Sequence, residues 1–293
     1  MLFPGFSRKK FRTTGATINA AWGGEGPPVL LLHGYPESHV MWHKVAPALA
    51  RDYTVVCADL RGYGDSSKPK GLPDHSNYSK RAMALDMVEV MDALGHERFH
   101  VVGHDRGGRV AHRLARDHSS RVRSLTVLDI SPTLKMYQST NMAFARAYYH
   151  WFFLIQPAPL PEKMLAAMGV KYILGRIGRG RSKLKHFPPA VQRAYARAFA
   201  DPRTVHATCE DYRAAASIDL VHDRKDLKRK IKMPLMAIWG KQAVVEAMFD
   251  CLADWREVAT DVRGKSLDCG HFIPEEKPRE LVAELRKFWK KLD

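Results

Sequence analysis

Long hydrophobic runs are missing from this chain of 293 residues. None approaches the roughly 18 apolar residues that a membrane helix needs, so no membrane span is expected. The first ten residues, from Met1 to Lys10, carry no apolar core of the kind a secretory leader requires. Cysteine is scarce. Cys57, Cys209, Cys251 and Cys269 are scattered, with no Cys-x-x-Cys pair. That scatter predicts reduced thiols in a cytoplasmic protein rather than a disulfide framework. No metal and no cofactor are expected. Acidic residues are also under-represented: 31 Asp and Glu face 47 Lys and Arg, a formal charge of +16. Much of the excess lies in residues 176–185 and 224–232. Phosphate backbones attract such patches. No helix-turn-helix, finger or RNA-recognition signature accompanies them, so a nucleic-acid partner is not expected. A solvated basic surface is the simpler reading, and its field would concentrate an anionic small molecule.

What is present is alternation. Short apolar segments end in turns and are followed by helical patterns, which predicts a mostly parallel sheet flanked by helices. Strands are expected at 28–32, 53–58, 99–102, 122–130, 234–239 and 262–267. Helices are expected at 78–94, 106–117 and 275–292. Between residue 132 and about 216 the strand signals vanish. Helical segments at about 140–155, 161–175, 189–200 and 203–216 are separated by prolines, and Asp201-Pro202 reads as a cap followed by proline at the first helical position. The stretch 132–216 is therefore expected to be a helical cap inserted into a core made of 1–131 and 217–293.

One segment carries the chemistry. Residues 101–109 read Val-Val-Gly-His-Asp-Arg-Gly-Gly-Arg, a buried strand running into a Gly-x-Asp-x-Gly turn and then a helix. This is the nucleophile elbow of an α/β-hydrolase fold, with Asp105 where serine commonly stands. A carboxylate attacks saturated carbon, displaces a leaving group and becomes an alkyl ester. The elbow thus points to a carbon–halogen bond or an epoxide. Chain order in this fold is nucleophile, acid, histidine. Asp129 ends the next strand. His271, in Gly270-His271-Phe272, follows the last one. The acid has a competing position after the strand at 234–239, but that loop offers nothing earlier than Glu246. Ester hydrolysis would then use His271 as base and Asp129 as its orienting partner. The backbone N–H groups of Tyr35 and Arg106 would form the oxyanion hole. Arg106 and Arg109 lie three apart on the first turn of the elbow helix, so they share a face and suit a substrate with a carboxylate of its own.

The sequence resembles the fluoroacetate dehalogenases, haloacetate dehalogenases of α/β-hydrolase type. The resemblance runs through His33-Gly34-Tyr35-Pro36-Glu37-Ser38, residues 59–66, the elbow, residues 128–132, His150-Trp151, Asp211-Tyr212-Arg213 and residues 270–276. It implies that Asp105 displaces halide from the α-carbon and that Arg106 and Arg109 grip the carboxylate. It further implies that His150, Trp151 and Tyr212 form the halide pocket, and that the protein is a homodimer. From spacing alone, residues 148–153 read only as an aromatic helix packed on the core. Epoxide hydrolases use the same Asp–Asp–His set, and Tyr148, Tyr149 and Tyr212 could serve an epoxide oxygen. They usually carry an aromatic residue where this chain has Arg106. A non-catalytic binding protein of the same fold is the remaining reading, opposed by the intact set of Asp105, Asp129 and His271.

Overall fold

The computed structural model describes residues 2–178 and 183–292, so part of the basic stretch, 179–182, lies outside the described residues. Strands β1 (Ser7–Arg12), β2 (Thr17–Gly23), β3 (Pro28–Leu32), β4 (Thr54–Ala58), β5 (Phe99–His104), β6 (Val122–Leu128), β7 (Leu235–Gly240) and β8 (Val262–Leu267) form one sheet. Its order is β1-β2-β4-β3-β5-β6-β7-β8. From β4 onward all neighbours are parallel. The central strands are buried on both faces, and they read as continuous apolar runs for that reason: Val29 to Leu32, Val55 to Ala58, Val101 and Val102 are fully inaccessible. The antiparallel strands β1 and β2 are not among the expected elements. In β1 only Phe11 is buried, while Arg8, Lys9, Lys10 and Arg12 are exposed. Charge of this kind protects an edge strand from pairing with another chain, and it also removes the alternation by which a strand is read.

Helices Lys80–Ala93 and Arg106–Asp117 are the crossovers that flank β5. Among the described residues, those from Thr133 to Lys225 contain helices and no strand. Two expected helices are broken in the structure. The one at 140–155 becomes Met142–Ala147 and Tyr149–Leu154, and the one at 161–175 becomes Leu160–Met168 and Val170–Ile177. The second break falls at Gly169, whose φ is 56°. The Asp201 side chain accepts from the Arg203 N–H at the start of helix Pro202–Ala216, as its position before Pro202 suggests. The closing helix is likewise interrupted, into Ile273–Glu276 and Pro278–Trp289. Pro278 cannot donate to the turn before it.

β3 pairs with β4 on one side and β5 on the other. Such reversals open a crevice at the carboxyl ends of parallel strands. The elbow sits there. Asp105 adopts φ 43° and ψ −112° between β5 and its helix, a conformation held only by tight packing. A Cβ on Gly103 would lie 2.3 Å from the Gly107 carbonyl oxygen, and one on Gly107 would lie 2.4 Å from that of His33. Gly107→Ala should therefore cost at least about 1–3 kcal/mol of stability through overpacking against backbone. Urea unfolding measures it, and an unchanged midpoint would contradict the assignment.

Candidate active site

The nucleophile candidate and its partners all sit at strand ends. Asp105 follows β5, Asp129 follows β6 and His271 lies in the loop after β8. β6 stops at Leu128, two residues before the expected end, because Asp129 turns out of the strand with φ 53°. The Asp129 carboxylate is fixed at both oxygens: Gly240 N–H donates to Oδ1 at 2.9 Å, and His271 Nδ1 lies 2.5 Å from Oδ2. Nδ1–H thus faces the carboxylate, and Nε2 is left as the basic nitrogen. The competing acid, Glu246, is engaged by the indole N–H of Trp239.

Asp105 accepts a hydrogen bond from the Tyr35 backbone N–H at 3.1 Å. The Arg106 N–H is one of the first-turn donors that have no partner inside a helix. Burial alone would push the Asp105 carboxyl up. His271, Arg109, Arg106 and His104 outweigh that and hold it below the usual carboxylate range. His104 was not singled out from sequence. Its Nδ1 lies 3.0 Å from Glu37 Oε2 and its Nε2 2.8 Å from the His271 carbonyl oxygen. Both partners are acceptors, so both nitrogens donate and the ring is an imidazolium. Desolvation opposes this charge, but Glu37 and Asp105 lift the His104 pKa to about 9.

The two arginines differ in their pairing. Arg106 donates to Asp211 through Nε at 2.8 Å and Nη2 at 2.9 Å, and it lies over the Tyr212 ring with 4.1 Å to the centroid. Asp211 also accepts from Lys80 and from the Tyr63 hydroxyl, and the Arg106 and Lys80 cations hold it well below the usual range against the cost of burial. Arg109 has no carboxylate in contact among the described residues. It donates to Thr133 Oγ1 at 2.8 Å and sits 4.6 Å over the Trp151 ring. Burial lowers its pKa, opposed chiefly by Asp105.

Arg106 Nη1, Arg109 Nε, Trp151 Nε1 and the Tyr212 hydroxyl are all buried, with no hydrogen-bond partner among the described residues. The ring contacts just given set Arg106 against Tyr212 and Arg109 against Trp151, and the charges of both arginines reach Asp105. Burial, with Asp105 second, raises the Tyr212 pKa far above its ordinary value, so this phenol stays a donor. His150 stacks on Tyr35 and meets Tyr212 edge-on at 5.8 Å between centroids. A cavity of 220 Å³ opens onto Tyr35, Asp105, Asp129, Tyr148, His150 and His271. Arg106, Arg109, Trp151 and Tyr212 do not line it and are buried. A larger hollow of 610 Å³, between residues 64–69 and Arg197, Asp201 and Thr204, contains no paired nucleophile and base.

Asp211 is the functional neighbour that spacing could not disclose, since it meets Arg106 across 105 residues. Removing its charge takes the paired carboxylate from buried Arg106 and leaves Lys80 with Asp219 alone; breaking a buried pair in this way typically costs about 3–5 kcal/mol. A depressed folded pKa gives stability that is present above the unfolded value and lost as pH falls toward the folded one. Asp211→Asn should therefore be less stable than wild type by about that amount at neutral pH, with the gap narrowing below about pH 4. Denaturant titrations at both pH values test this; a gap that persists in acid would mean that ionic pairing is not its source.

These features can be set beside known proteins. The α/β hydrolase fold model matches residues 27–278. A fluoroacetate dehalogenase from Burkholderia sp. is 46% identical, over 98% of this chain and 95% of its own length. A soluble epoxide hydrolase from Corynebacterium sp. (strain C12) is 33% identical, over 94% of each. The crystal structure of a protein described as an α/β hydrolase from Nostoc sp. PCC 7120 superposes with a TM-score of 0.97 at 54% identity, covering 99% of both chains. With its elbow, sheet order and whole-length relatives in agreement, this chain belongs to the α/β-hydrolase family.

Proposed function

We propose that the protein is a haloacetate dehalogenase, which hydrolyses fluoroacetate or chloroacetate to glycolate and halide through an ester on Asp105. The observation that carries the reading is the set of buried, unpartnered donors on Arg106, Arg109, Trp151 and Tyr212, with both arginines close enough to act on the buried Asp105 carboxylate. The Burkholderia fluoroacetate dehalogenase supports it. Residues 132–216 act as the cap over a core of 1–131 and 217–293.

In this reading the substrate carboxylate takes Arg109 and the spare Nη1 of Arg106. An Asp105 oxygen attacks the α-carbon, and halide leaves with the bonding pair. His150, Trp151 and Tyr212 donate to the departing halide. Such donors act mainly in the transition state, because the bound C–F group is a poor acceptor while fluoride is a strong one. Water then attacks the Asp105 carboxyl carbon and gives its proton to His271 Nε2, while Asp129 stabilises the resulting imidazolium. The Tyr35 and Arg106 N–H groups receive the tetrahedral oxyanion. As the intermediate collapses, the His271 imidazolium returns its proton to the departing alkoxide oxygen, which releases glycolate and regenerates the Asp105 carboxyl group. The Corynebacterium relative and the unpartnered Tyr212 hydroxyl favour one other reading, epoxide hydrolysis.

His271→Ala separates the two half-reactions. Displacement needs no proton transfer, so mass spectrometry should find Asp105 carrying a carboxymethyl group after fluoroacetate or chloroacetate. An unmodified carboxylate with substrate bound would overturn the mechanism. Wild-type fluoride release with no epoxide turnover separates the dehalogenase from the hydrolase reading.

The two ends of the substrate should respond differently. Arg109→Leu should impair fluoroacetate and chloroacetate turnover by similar factors. Trp151→Phe should cost fluoroacetate about 2.7–4 kcal/mol, the usual loss for one donor at a developing anion, and chloroacetate less. Steady-state kinetics on both acids decide it; equal losses with Trp151→Phe would make the indole a cavity wall only.

A further inference from the structure

Arg176 enters the sequence reading only as one member of a basic stretch. In the structure it stands near the end of helix Val170–Ile177 and lines the cavity that holds Asp105, His150 and His271. Its Nη2 lies 3.2 Å from His150 Nε2. A guanidinium has donors and no acceptor, so His150 Nε2 must offer its lone pair. An imidazole that accepts at Nε2 carries its proton on Nδ1. It can gain a second proton only by breaking the bond to Arg176 and bringing two cations together. Arg176 is itself held in place, with its guanidinium 5.9 Å from the Tyr149 ring centroid. Among the described residues, Tyr35, Tyr148, Tyr149 and Tyr212 have ring contacts with His150, and Asp105, Asp129 and His271 line the same cavity. The charge of Arg176 reaches the hydroxyls of Tyr35, Tyr148 and Tyr212 as well.

We propose that Arg176 is a positioning residue that locks His150 as the neutral Nδ1–H tautomer, so that the N–H offered to a departing halide is the one on Nδ1. The halide half of this statement rests on the proposed dehalogenation; the tautomer half does not. Two consequences follow. Hydrogen-bond donation by His150 is independent of pH through the range where a free imidazole titrates, near 6.5. The site also cannot reach its donor count by protonating His150, because Arg176 already supplies the positive charge there.

The test is nitrogen-detected NMR of the full-length protein labelled at histidine, with His150 assigned by its loss in His150→Gln. Wild type should show an unprotonated Nε2 and a protonated Nδ1, unchanged between pH 5.5 and 8. Arg176→Leu should give a mixture of tautomers that titrates. Arg176→Lys, still a pure donor, should restore the wild-type pattern and keeps the test open if the leucine variant folds poorly. In turnover, Arg176→Leu should lower kcat on fluoroacetate by roughly tenfold, the worth of one hydrogen bond, and lower it less on chloroacetate. The effect should vanish in a His150→Gln background, where the two substitutions no longer add. Protonated Nε2 in wild type overturns the proposal whatever the enzyme hydrolyses. The expected tautomer without haloacetate turnover upholds the lock and removes the dehalogenase reading instead. The expected tautomer with equal losses on both acids overturns the role at the halide.

Discussion

Burying a carboxylate costs several kcal/mol unless opposite charge stands close, yet a nucleophile whose oxygens are taken up by an ion pair cannot attack. The structure meets both demands at Asp105. Among the described residues the only hydrogen bond to its side chain comes from the Tyr35 N–H. The compensating charge is set back one layer, on His104, Arg106, Arg109 and His271. His104 is the least obvious member. It is kept charged by Glu37 behind it, and its other nitrogen is spent on the carbonyl of His271. The same imidazolium therefore faces the charge of Asp105, the candidate nucleophile, and ties down the loop that carries His271.

The arginines divide the remaining work. Arg106 is largely neutralised by Asp211, which fixes its plane and leaves one nitrogen to give. Its role in the proposed chemistry is geometric. Among the described residues Arg109 has no carboxylate in contact, so in the proposed chemistry it keeps its charge for the arriving anion. An arriving carboxylate must approach the negative Asp105, and in a low-dielectric site that repulsion is large. An unpaired guanidinium between the two offsets it. Had Asp211 paired with both arginines, substrate and nucleophile would meet with nothing to screen them.

Asp105, Asp129 and His271 were legible because each belongs to a local pattern: a glycine-bounded turn, a strand end, a Gly-His-Phe after the last strand. The backbone requirements that produce those patterns act within a few residues. Asp211, Glu37 and Arg176 were not legible, since each acts through a side chain met across 105, 67 and 26 residues respectively. No spacing encodes such a contact. The errors in the fold have local causes too. β1 hides behind the lysines and arginines that guard a sheet edge, and the helix breaks at Gly169 and before Pro278 depend on single residues inside otherwise helical patterns. The roles proposed for His150, Trp151 and Tyr212 at the halide rest on family resemblance, because an aromatic run on a helix says nothing by itself about which ring edges meet a ligand.

The same electrostatics bear on the choice between a haloacid and an epoxide. Both would be opened by Asp105, and both need donors at the departing atom. An epoxide is neutral and offers a single oxygen. In its presence Arg109 would keep Asp105 as its opposite charge but its buried Nε would lack an acceptor, which typically costs about 1–3 kcal/mol. In the proposed reading a haloacetate would bring one carboxylate for the arginines and one halogen for the indole and phenol, so that Arg106 Nη1, Arg109 Nε, Trp151 Nε1 and the Tyr212 hydroxyl would each have an acceptor to turn to. The halide also departs as an anion that needs hydrogen bonds but no proton. That suits a Tyr212 hydroxyl whose burial makes it reluctant to ionise, whereas an opening epoxide would call on that hydroxyl to share or surrender its proton.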